Sequence, residues 1–200
     1  MNKSDLGKFI NFTKKWEGGL SRYKSDSASK NPNPLEYKGK KGWHTNMGIT
    51  YAAWNKHFPD DDEGFFNMDA DKWFKIFKEG YWDSVRGDEL PFSIAVYVTG
   101  IAWGSGPNKA RRNLQQALQG LGQKIEVDGV IGKNTLRAVS AVNERKLFDA
   151  LVEIRRRFFH YITNPSNAKD EATKEQYAKN AKFLNGWINR LEDYVATFRP

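Results

Sequence analysis

Glu17 is the residue best placed for acid–base chemistry, in the stretch Trp16-Glu17-Gly18-Gly19. Residues upstream of it recur at the spacing of one helix face, namely Leu6, Phe9, Ile10 and Thr13. At about 100° per residue, Glu17 falls in the middle of that stripe and so points towards the core. Burial and the negative end of the helix dipole both disfavour the ionised carboxylate, which suits a general acid working near neutral pH. A buried glutamate that only binds a loop amide or an arginine is equally consistent with this position.

The elements around Glu17 follow from the local sequence. The apolar stripe predicts a helix over about residues 5–17, which Gly18-Gly19 ends as a left-handed C-cap. Residues 21–45 are polar and contain the turn cluster Asn31-Pro32-Asn33-Pro34. We therefore expect a long loop over Glu17, with short strands at most.

Three small polar side chains follow this loop: Thr45, Asn46 and Thr50. Such groups can hold a water or a sugar hydroxyl, but they cap turns and helices more often. Thr50 also stands where it can cap a helix that begins at Tyr51. The neighbouring His44 is a lone histidine and fits a structural role better than a catalytic one.

The middle of the chain continues with helical patterns. Asp69 or Asp71 starts an aromatic helix that runs to Trp82, and Asp83 follows directly. The acidic run at residues 60–63 lacks the glycine and the distal glutamate of an EF-hand loop. We interpret it as a solvated loop rather than a calcium site.

Helical patterns also fill the second half, so the predicted fold class is mainly α. An apolar helix is expected over residues 92–103, and Asn134 is expected to cap a helix over residues 135–142. The run Arg155-Arg156-Arg157 fans around a helix, which predicts a solvated face. Apolar residues between 177 and 198 recur at steps of four and three, which predicts one long helix with a packing seam.

Composition limits the class of protein. Two hundred residues suit one domain with an appendage or two small domains, and the absence of cysteine excludes disulfides, zinc thiolate sites and a catalytic cysteine. Of the net charge of +8, +7 lies in residues 101–200, which carry 17 basic and 10 acidic residues. That half suits a polyanion, such as a cell-wall polymer, a membrane surface or a nucleic acid, or it is merely a basic surface.

Four short motifs follow one another along the chain: Trp16-Glu17-Gly18-Gly19, Thr45-Asn46-Met47-Gly48-Ile49-Thr50, Tyr81-Trp82-Asp83 and Gly104-Ser105-Gly106-Pro107. Together they resemble the family 108 glycoside hydrolases, bacterial and phage N-acetylmuramidases of lysozyme-like helical fold. The stretch from Leu114 to Leu136, with its Asp128-Gly129-Val130-Ile131-Gly132 turn, resembles that family's predicted peptidoglycan-binding region. The chain departs from the family at Trp43-His44, where a second glycine is usual, and at Gly104, where asparagine is usual.

The resemblance implies a lysozyme-like catalytic region at residues 1–106 and a helical peptidoglycan-binding region at residues 107–200, packed as one unit. It implies that Glu17 is the single catalytic glutamate, the general acid for hydrolysis of the β-1,4 bond between N-acetylmuramic acid and N-acetylglucosamine. The candidate substrate-binding residues are Thr45, Asn46, Thr50, Asp26 and Asp83. No cofactor and no metal are expected, and an endolysin of phage or prophage type fits the pattern.

The second catalytic group stays open. Glycoside hydrolysis also needs a nucleophile, either water or a carboxylate. Asp26 and Asp83 are the nearest carboxylates by motif, whereas Thr45, Asn46 or Thr50 are the candidates for positioning a water. A lytic transglycosylase, a non-catalytic cell-wall binding protein and a nucleic-acid binder are the alternative functions, and the last ranks lowest because it leaves Glu17 without a role.

The expected partner is the glycan strand of peptidoglycan, bound by a monomer, with no nucleic acid and no membrane span. The N-terminus lacks the apolar segment of a secretory signal peptide. We therefore expect synthesis without one and action on the cell wall, in the periplasm or outside the cell, after delivery by another route.

Overall fold

Helices make up most of the described residues, which confirms the predicted mainly α fold class. The structure, a computed structural model, describes residues 3–23, 27–30 and 35–200. The chain divides into two units, Met1–Tyr81 and Trp82–Pro200, called here the N-terminal unit and the C-terminal unit. No helix in the described part of the chain is both long and apolar enough to cross a membrane.

The N-terminal unit combines short helices with two small antiparallel sheets. Strand β1 pairs with β2, and β3 pairs with β4. In chain order its elements are α1 (Lys3–Trp16), a 3-10 turn (Ser27–Lys30), β1 (Leu35–Tyr37), β2 (Lys40–Trp43), β3 (Thr45–Asn46), β4 (Ile49–Thr50), α2 (Tyr51–His57), α3 (Asp62–Phe66), α4 (Ala70–Phe77) and a π-helical turn (Lys78–Trp82) that reaches the end of the unit.

The C-terminal unit is built from longer helices. Its elements are two 3-10 turns (Asp83–Val85 and Gly87–Glu89), α5 (Phe92–Ser105), α6 (Pro107–Gly120), α7 (Lys133–Ser140), α8 (Glu144–Ile162), a 3-10 turn (Pro165–Asn167), α9 (Glu171–Asn180), a 3-10 turn (Ala181–Phe183) and α10 (Leu184–Phe198).

Aromatic side chains fill the core of the N-terminal unit. Trp73 stacks on Phe77 with ring centroids 5.0 Å apart, and Phe9 of α1 meets the edge of Phe77 at 5.5 Å. The indole of Trp73 donates a hydrogen bond to the carbonyl of Met47 (3.0 Å), and that of Trp54 donates to the carbonyl of Asp61 (2.8 Å). Each buried indole N–H therefore satisfies a loop carbonyl and fixes that loop on the core.

Helix α5 is the centre of the C-terminal unit. It is buried almost all round, and it packs against α6, α8 and α10. A helix without a polar face is typical of a core position. Gly106, with φ of +84°, separates α5 from α6, and Pro107 occupies the first turn of α6, where its missing N–H costs nothing.

Two predicted N-caps are confirmed. The Thr50 hydroxyl accepts from the backbone N–H of Ala53 (3.2 Å) at the start of α2. At the start of α4, Asp69 accepts from the N–H of Lys72 (2.7 Å).

Three other local predictions were wrong. Helix α7 begins at Lys133, one residue before the predicted cap, because the Asn134 side chain accepts from Arg137 instead of a backbone N–H. The long helix predicted for residues 177–198 is interrupted by the 3-10 turn at residues 181–183. The acidic run is not a plain loop, since Asp61 caps α3 through the N–H of Gly64 (2.8 Å).

Candidate active site

Glu17 lies directly after the end of α1. Its backbone N–H donates to the carbonyl of Lys14 (3.2 Å), so a tight turn closes the helix, and the residue is half-buried. Neither Gly18 nor Gly19 has a positive φ, so the prediction of a left-handed C-cap was wrong. A Cβ built on either glycine would meet no atom of the described residues within 4 Å. As far as those residues go, the backbone that follows Glu17 is open.

The Tyr81 phenol lies within the electrostatic reach of the Glu17 carboxyl. Burial first, and the negative charge of Glu17 second, raise the pKa of the Tyr81 phenol above its ordinary value. Tyr81 belongs to the Tyr81-Trp82-Asp83 motif, and no role was predicted for it from the sequence. Its burial could have been predicted from the spacing of four residues between Trp73, Phe77 and Tyr81. The π-helical turn extends the stripe of these residues beyond α4.

The β3 strand is tied to the chain just after Glu17. The N–H of Ser21 donates to the carbonyl of Thr45 (2.8 Å), and the N–H of His44 donates to the carbonyl of Ser21 (3.1 Å). Ser21 is the fourth residue after Glu17. Because the link is short and Ser21 is paired with Thr45, the β3–β4 hairpin must lie close to the Glu17 backbone.

His44 is buried and has two polar partners. Its Nε2 lies 3.2 Å from the carbonyl of Tyr23, and its Nδ1 lies 2.8 Å from the Thr45 hydroxyl. Because a carbonyl only accepts, Nε2 carries the proton, and in the neutral ring Nδ1 accepts from the hydroxyl. The Thr45 oxygen then keeps its acceptor capacity for a sugar hydroxyl or a water.

Asn46 and Thr50 already have structural partners. The buried Asn46 amide donates to the carbonyls of Phe65 (2.7 Å) and Phe66 (3.4 Å), which fastens the hairpin to α3. Thr50 caps α2 through the N–H of Ala53. A role of either residue in substrate binding stays a prediction.

A catalytic or substrate-binding role of the two candidate aspartates stays a prediction. Asp26 lies outside the described residues. Asp83 is exposed at the start of a 3-10 turn in the C-terminal unit, where its carbonyl accepts from the N–H of Arg86 (2.9 Å). Among the residues that the structure describes, no cluster of three or more His, Asp or Glu side chains is arranged to hold a metal ion.

Comparison with family models assigns the chain. Residues 10–106 match the model described as Glycosyl hydrolase 108, and residues 109–192 match the model described as Predicted Peptidoglycan domain. The chain contains a glycosyl hydrolase family 108 domain at residues 10–106. It is a glycoside hydrolase, and together the two matches make it a peptidoglycan hydrolase. The family 108 match runs past the N-terminal unit and ends after α5.

The fold of this chain is similar to that of Brucella abortus SagA. The TM-score is 0.71 at 23% sequence identity, over 98% of this chain and 94% of SagA. At that identity the likeness concerns the fold alone, and it agrees with the predicted lysozyme-like helical fold. No curated protein matches the chain in sequence.

Proposed function

We propose that this peptidoglycan hydrolase is an N-acetylmuramidase, which cleaves the β-1,4 bond between N-acetylmuramic acid and N-acetylglucosamine with Glu17 as the general acid. The observation that carries the proposal is the position of Glu17. Glu17 is half-buried at the end of α1, and its charge adds to the effect of burial in raising the pKa of the Tyr81 phenol. It is followed by two glycines that have open space around them among the described residues.

The chemistry assigned to Glu17 is proton donation to the leaving glycosidic oxygen. As the bond from that oxygen to the anomeric carbon breaks, the oxygen takes the Glu17 proton. Water then supplies a hydroxyl to the anomeric carbon and its remaining proton restores Glu17. The products are a new reducing N-acetylmuramic acid end and a free 4-hydroxyl on N-acetylglucosamine.

Thr45 is our candidate for holding the attacking water or a sugar hydroxyl. Its hydroxyl oxygen retains acceptor capacity beside His44, and the Ser21 bridge holds its strand near the residues that follow Glu17. The Asn46 side chain donates a hydrogen bond to a carbonyl of α3, and the Thr50 side chain caps α2. We therefore assign these two the secondary role of shaping the hairpin that carries Thr45.

We propose that the enzyme acts on the cell wall, in the periplasm or outside the cell. The basic excess of residues 101–200 complements an anionic wall polymer and would concentrate the enzyme there. Raised ionic strength should then weaken wall binding, since exposed charges are screened.

Glu17→Gln tests the proposal, because glutamine keeps the volume but cannot donate the proton. We expect an unchanged melting temperature, within a degree or so, and a loss of reducing-end release from purified peptidoglycan by about 10²–10⁴-fold. Glu63→Gln is the matched control, since Glu63 is an exposed glutamate on α3 of the same unit. It should keep both its stability and its rate.

The opposite pattern would contradict the proposal. If Glu17 had only a structural role, Glu17→Gln would melt earlier than the wild type while keeping its rate per folded molecule. Melting and reducing-end release are therefore measured on the same preparation.

A further inference from the structure

The C-terminal unit contains a pocket of about 230 Å³ between α5, α8 and α10. Its wall includes the aromatic rings of Tyr97, Phe159 and Trp187 and the guanidinium groups of Arg155 and Arg190. The ring centroids of Phe159 and Trp187 are 5.2 Å apart and the rings are stacked. The pocket thus combines apolar surfaces with two positive charges.

Arg155 is the unusual residue in this pocket, because its side chain is only 8% exposed. Its Nη1 donates to the Ser105 hydroxyl (2.8 Å), and its guanidinium lies 4.4 Å from the ring centroid of Phe159. The predicted solvated face was therefore wrong for Arg155. It stands four residues after Leu151 and four before Phe159, on the buried stripe of α8.

The two arginines that follow Arg155 have carboxylate partners. Nη1 of Arg156 lies 2.7 Å from Oε1 of Glu192, and Nε of Arg157 lies 3.4 Å from Oε1 of Glu153. Within the described part of the chain, no carboxylate lies at ion-pair distance from Arg155. Burial lowers the pKa of Arg155 to about 10, and the charge of Arg190 adds to that lowering. The half-buried Arg156 and the exposed Arg157 therefore have counter-charges, whereas the buried Arg155 has none among the described residues.

A buried charge without a counter-charge is costly, so a fold that keeps one leaves free energy to be gained by an anion. The planar guanidinium matches a carboxylate with paired hydrogen bonds, which are stronger than bonds between neutral groups. The volume is below the about 300–1,000 Å³ of pockets for drug-sized ligands, so the bound group must be small. The aromatic walls suit methyl groups beside the anion.

We propose that this pocket binds the terminal carboxylate of a peptidoglycan stem peptide, with Arg155 as the main contact. The second family match, to the Predicted Peptidoglycan domain, includes Arg155, Phe159, Trp187 and Arg190. A chain end that carries a carboxylate next to an alanine methyl group has the size and chemistry that the pocket accepts. The assignment rests on the proposed function in one respect, namely that peptidoglycan is the substrate.

Isothermal titration of the full chain tests this assignment with a synthetic stem pentapeptide ending in D-alanine. We expect the free acid to bind and its C-terminal amide to bind about 10–100-fold more weakly, since a charge-assisted hydrogen bond is lost. Arg155→Met should weaken the free acid to a similar extent, and Arg155→Lys should fall between, because it keeps the charge but not the fork. Arg157→Met removes an equal charge from the exposed face of α8 and should leave binding unchanged.

Equal affinity for acid and amide, or unchanged affinity in folded Arg155→Met, would overturn the assignment. Tighter binding of inorganic phosphate than of the peptide would overturn it in favour of a phosphate-bearing ligand. Should Arg155→Met fail to fold, the amide and Arg155→Lys still decide the question.

Reducing-end release from glycan strands stripped of peptide tests the catalytic proposal separately. Release without peptide binding would defeat the pocket assignment alone. Peptide binding without release would defeat the muramidase proposal alone.

Discussion

The two units are stabilised in different ways. In the N-terminal unit, the indoles of Trp54 and Trp73 donate hydrogen bonds to loop carbonyls, and the Asn46 amide donates to a carbonyl of α3. In the C-terminal unit, burial over whole helix faces holds α6, α8 and α10 against α5, and polar side chains such as Gln115 fix the loop that follows α6. The surroundings of Glu17 should therefore respond to single polar changes, whereas the helices packed around α5 should respond mainly to the loss of a complete helix.

Two fragments should show the largest effect. Residues 1–107 end one residue after the family 108 match, and they carry α5 without α6, α8 and α10. Each large apolar side chain of α5 that loses its burial forfeits about 1.5–3 kcal/mol, and several together match the about 5–15 kcal/mol that stabilises a whole domain. We expect little soluble protein from residues 1–107, and cooperative thermal unfolding by circular dichroism from residues 82–200.

A soluble fragment 1–107 that unfolds cooperatively and stays fully active would refute this difference. So would a fragment 82–200 with no cooperative transition. The predicted division at residues 106 and 107 is tested by the same pair, because it places α5 with the first region.

Asn46→Ala should show the next largest effect. It removes the donor to the Phe65 carbonyl inside the N-terminal unit and leaves that carbonyl unpaired, which costs about 1–3 kcal/mol. Urea unfolding measures the loss, and Asn185→Ala, at an exposed position of α10, is the control that should change little. An unchanged rate per folded molecule would mean that Asn46 shapes the hairpin, whereas a higher KM at unchanged stability would mean that it binds substrate.

A smaller effect on stability should come from one aspartate in each unit, Asp61 and Asp128, and the two should differ in their salt dependence. The Lys72 ammonium first, and the N–H of Gly64 second, lower the pKa of Asp61. In the C-terminal unit, the Gln115 amide first, and the N–H of Val130 second, lower the pKa of Asp128. A lowered pKa in the folded state stabilises the fold above the unfolded value of about 3.9, and the stabilisation is lost as pH falls through the folded value.

Between about pH 6 and about pH 3, the wild type should therefore lose more stability than Asp61→Asn or Asp128→Asn. The difference due to Asp61 should shrink in about 1 M salt, which screens its pair with Lys72. The difference due to Asp128 should persist, because its main partners are neutral. Equal salt dependence of the two variants, measured by urea unfolding, would contradict this contrast.

Gly18→Ala should change stability least. With no positive φ and no atom of the described residues within 4 Å, an added methyl group should raise stability by about 0.4–1 kcal/mol through the unfolded state. The methyl group would nevertheless occupy the space beside Glu17, so reducing-end release should fall several-fold. Gly186→Ala, at an exposed position of α10 with equally open surroundings, should gain stability without losing activity. Full activity of Gly18→Ala would show that substrate does not approach there.

The sequence predicted the elements whose apolar spacing is strong. Helix α5 occupies residues 92–105 where 92–103 was predicted, and α1 ends one residue before Glu17. The caps at Thr50 and Asp69 were predicted because their side-chain chemistry is local. The predictions for Gly18-Gly19 and Asn134 failed because several local closures of a helix end are similar in energy, and tertiary contacts choose among them.

The site was predictable only where one residue carries it. Glu17 stands out from spacing and from its glycines. The spacing of four places Tyr81 on the stripe of Trp73 and Phe77, but its electrostatic interaction with Glu17 depends on tertiary packing, which local spacing does not predict. Arg155 was assigned to solvent because three adjacent arginines fan around a helix, although its spacing from Leu151 places it on the buried stripe. Residue type usually decides burial, and an arginine inside the core is the exception that only the packed structure reveals.

Mass spectrometry of the fragments released from purified peptidoglycan tests the central claim most directly. The muramidase proposal predicts fragments that end in reducing N-acetylmuramic acid, one water heavier than the ring-closed 1,6-anhydro form, from the wild type and from Glu63→Gln. Folded Glu17→Gln should release almost none. Fragments with 1,6-anhydro ends would identify a lytic transglycosylase instead, and near-normal release by folded Glu17→Gln would contradict the assignment of the general acid.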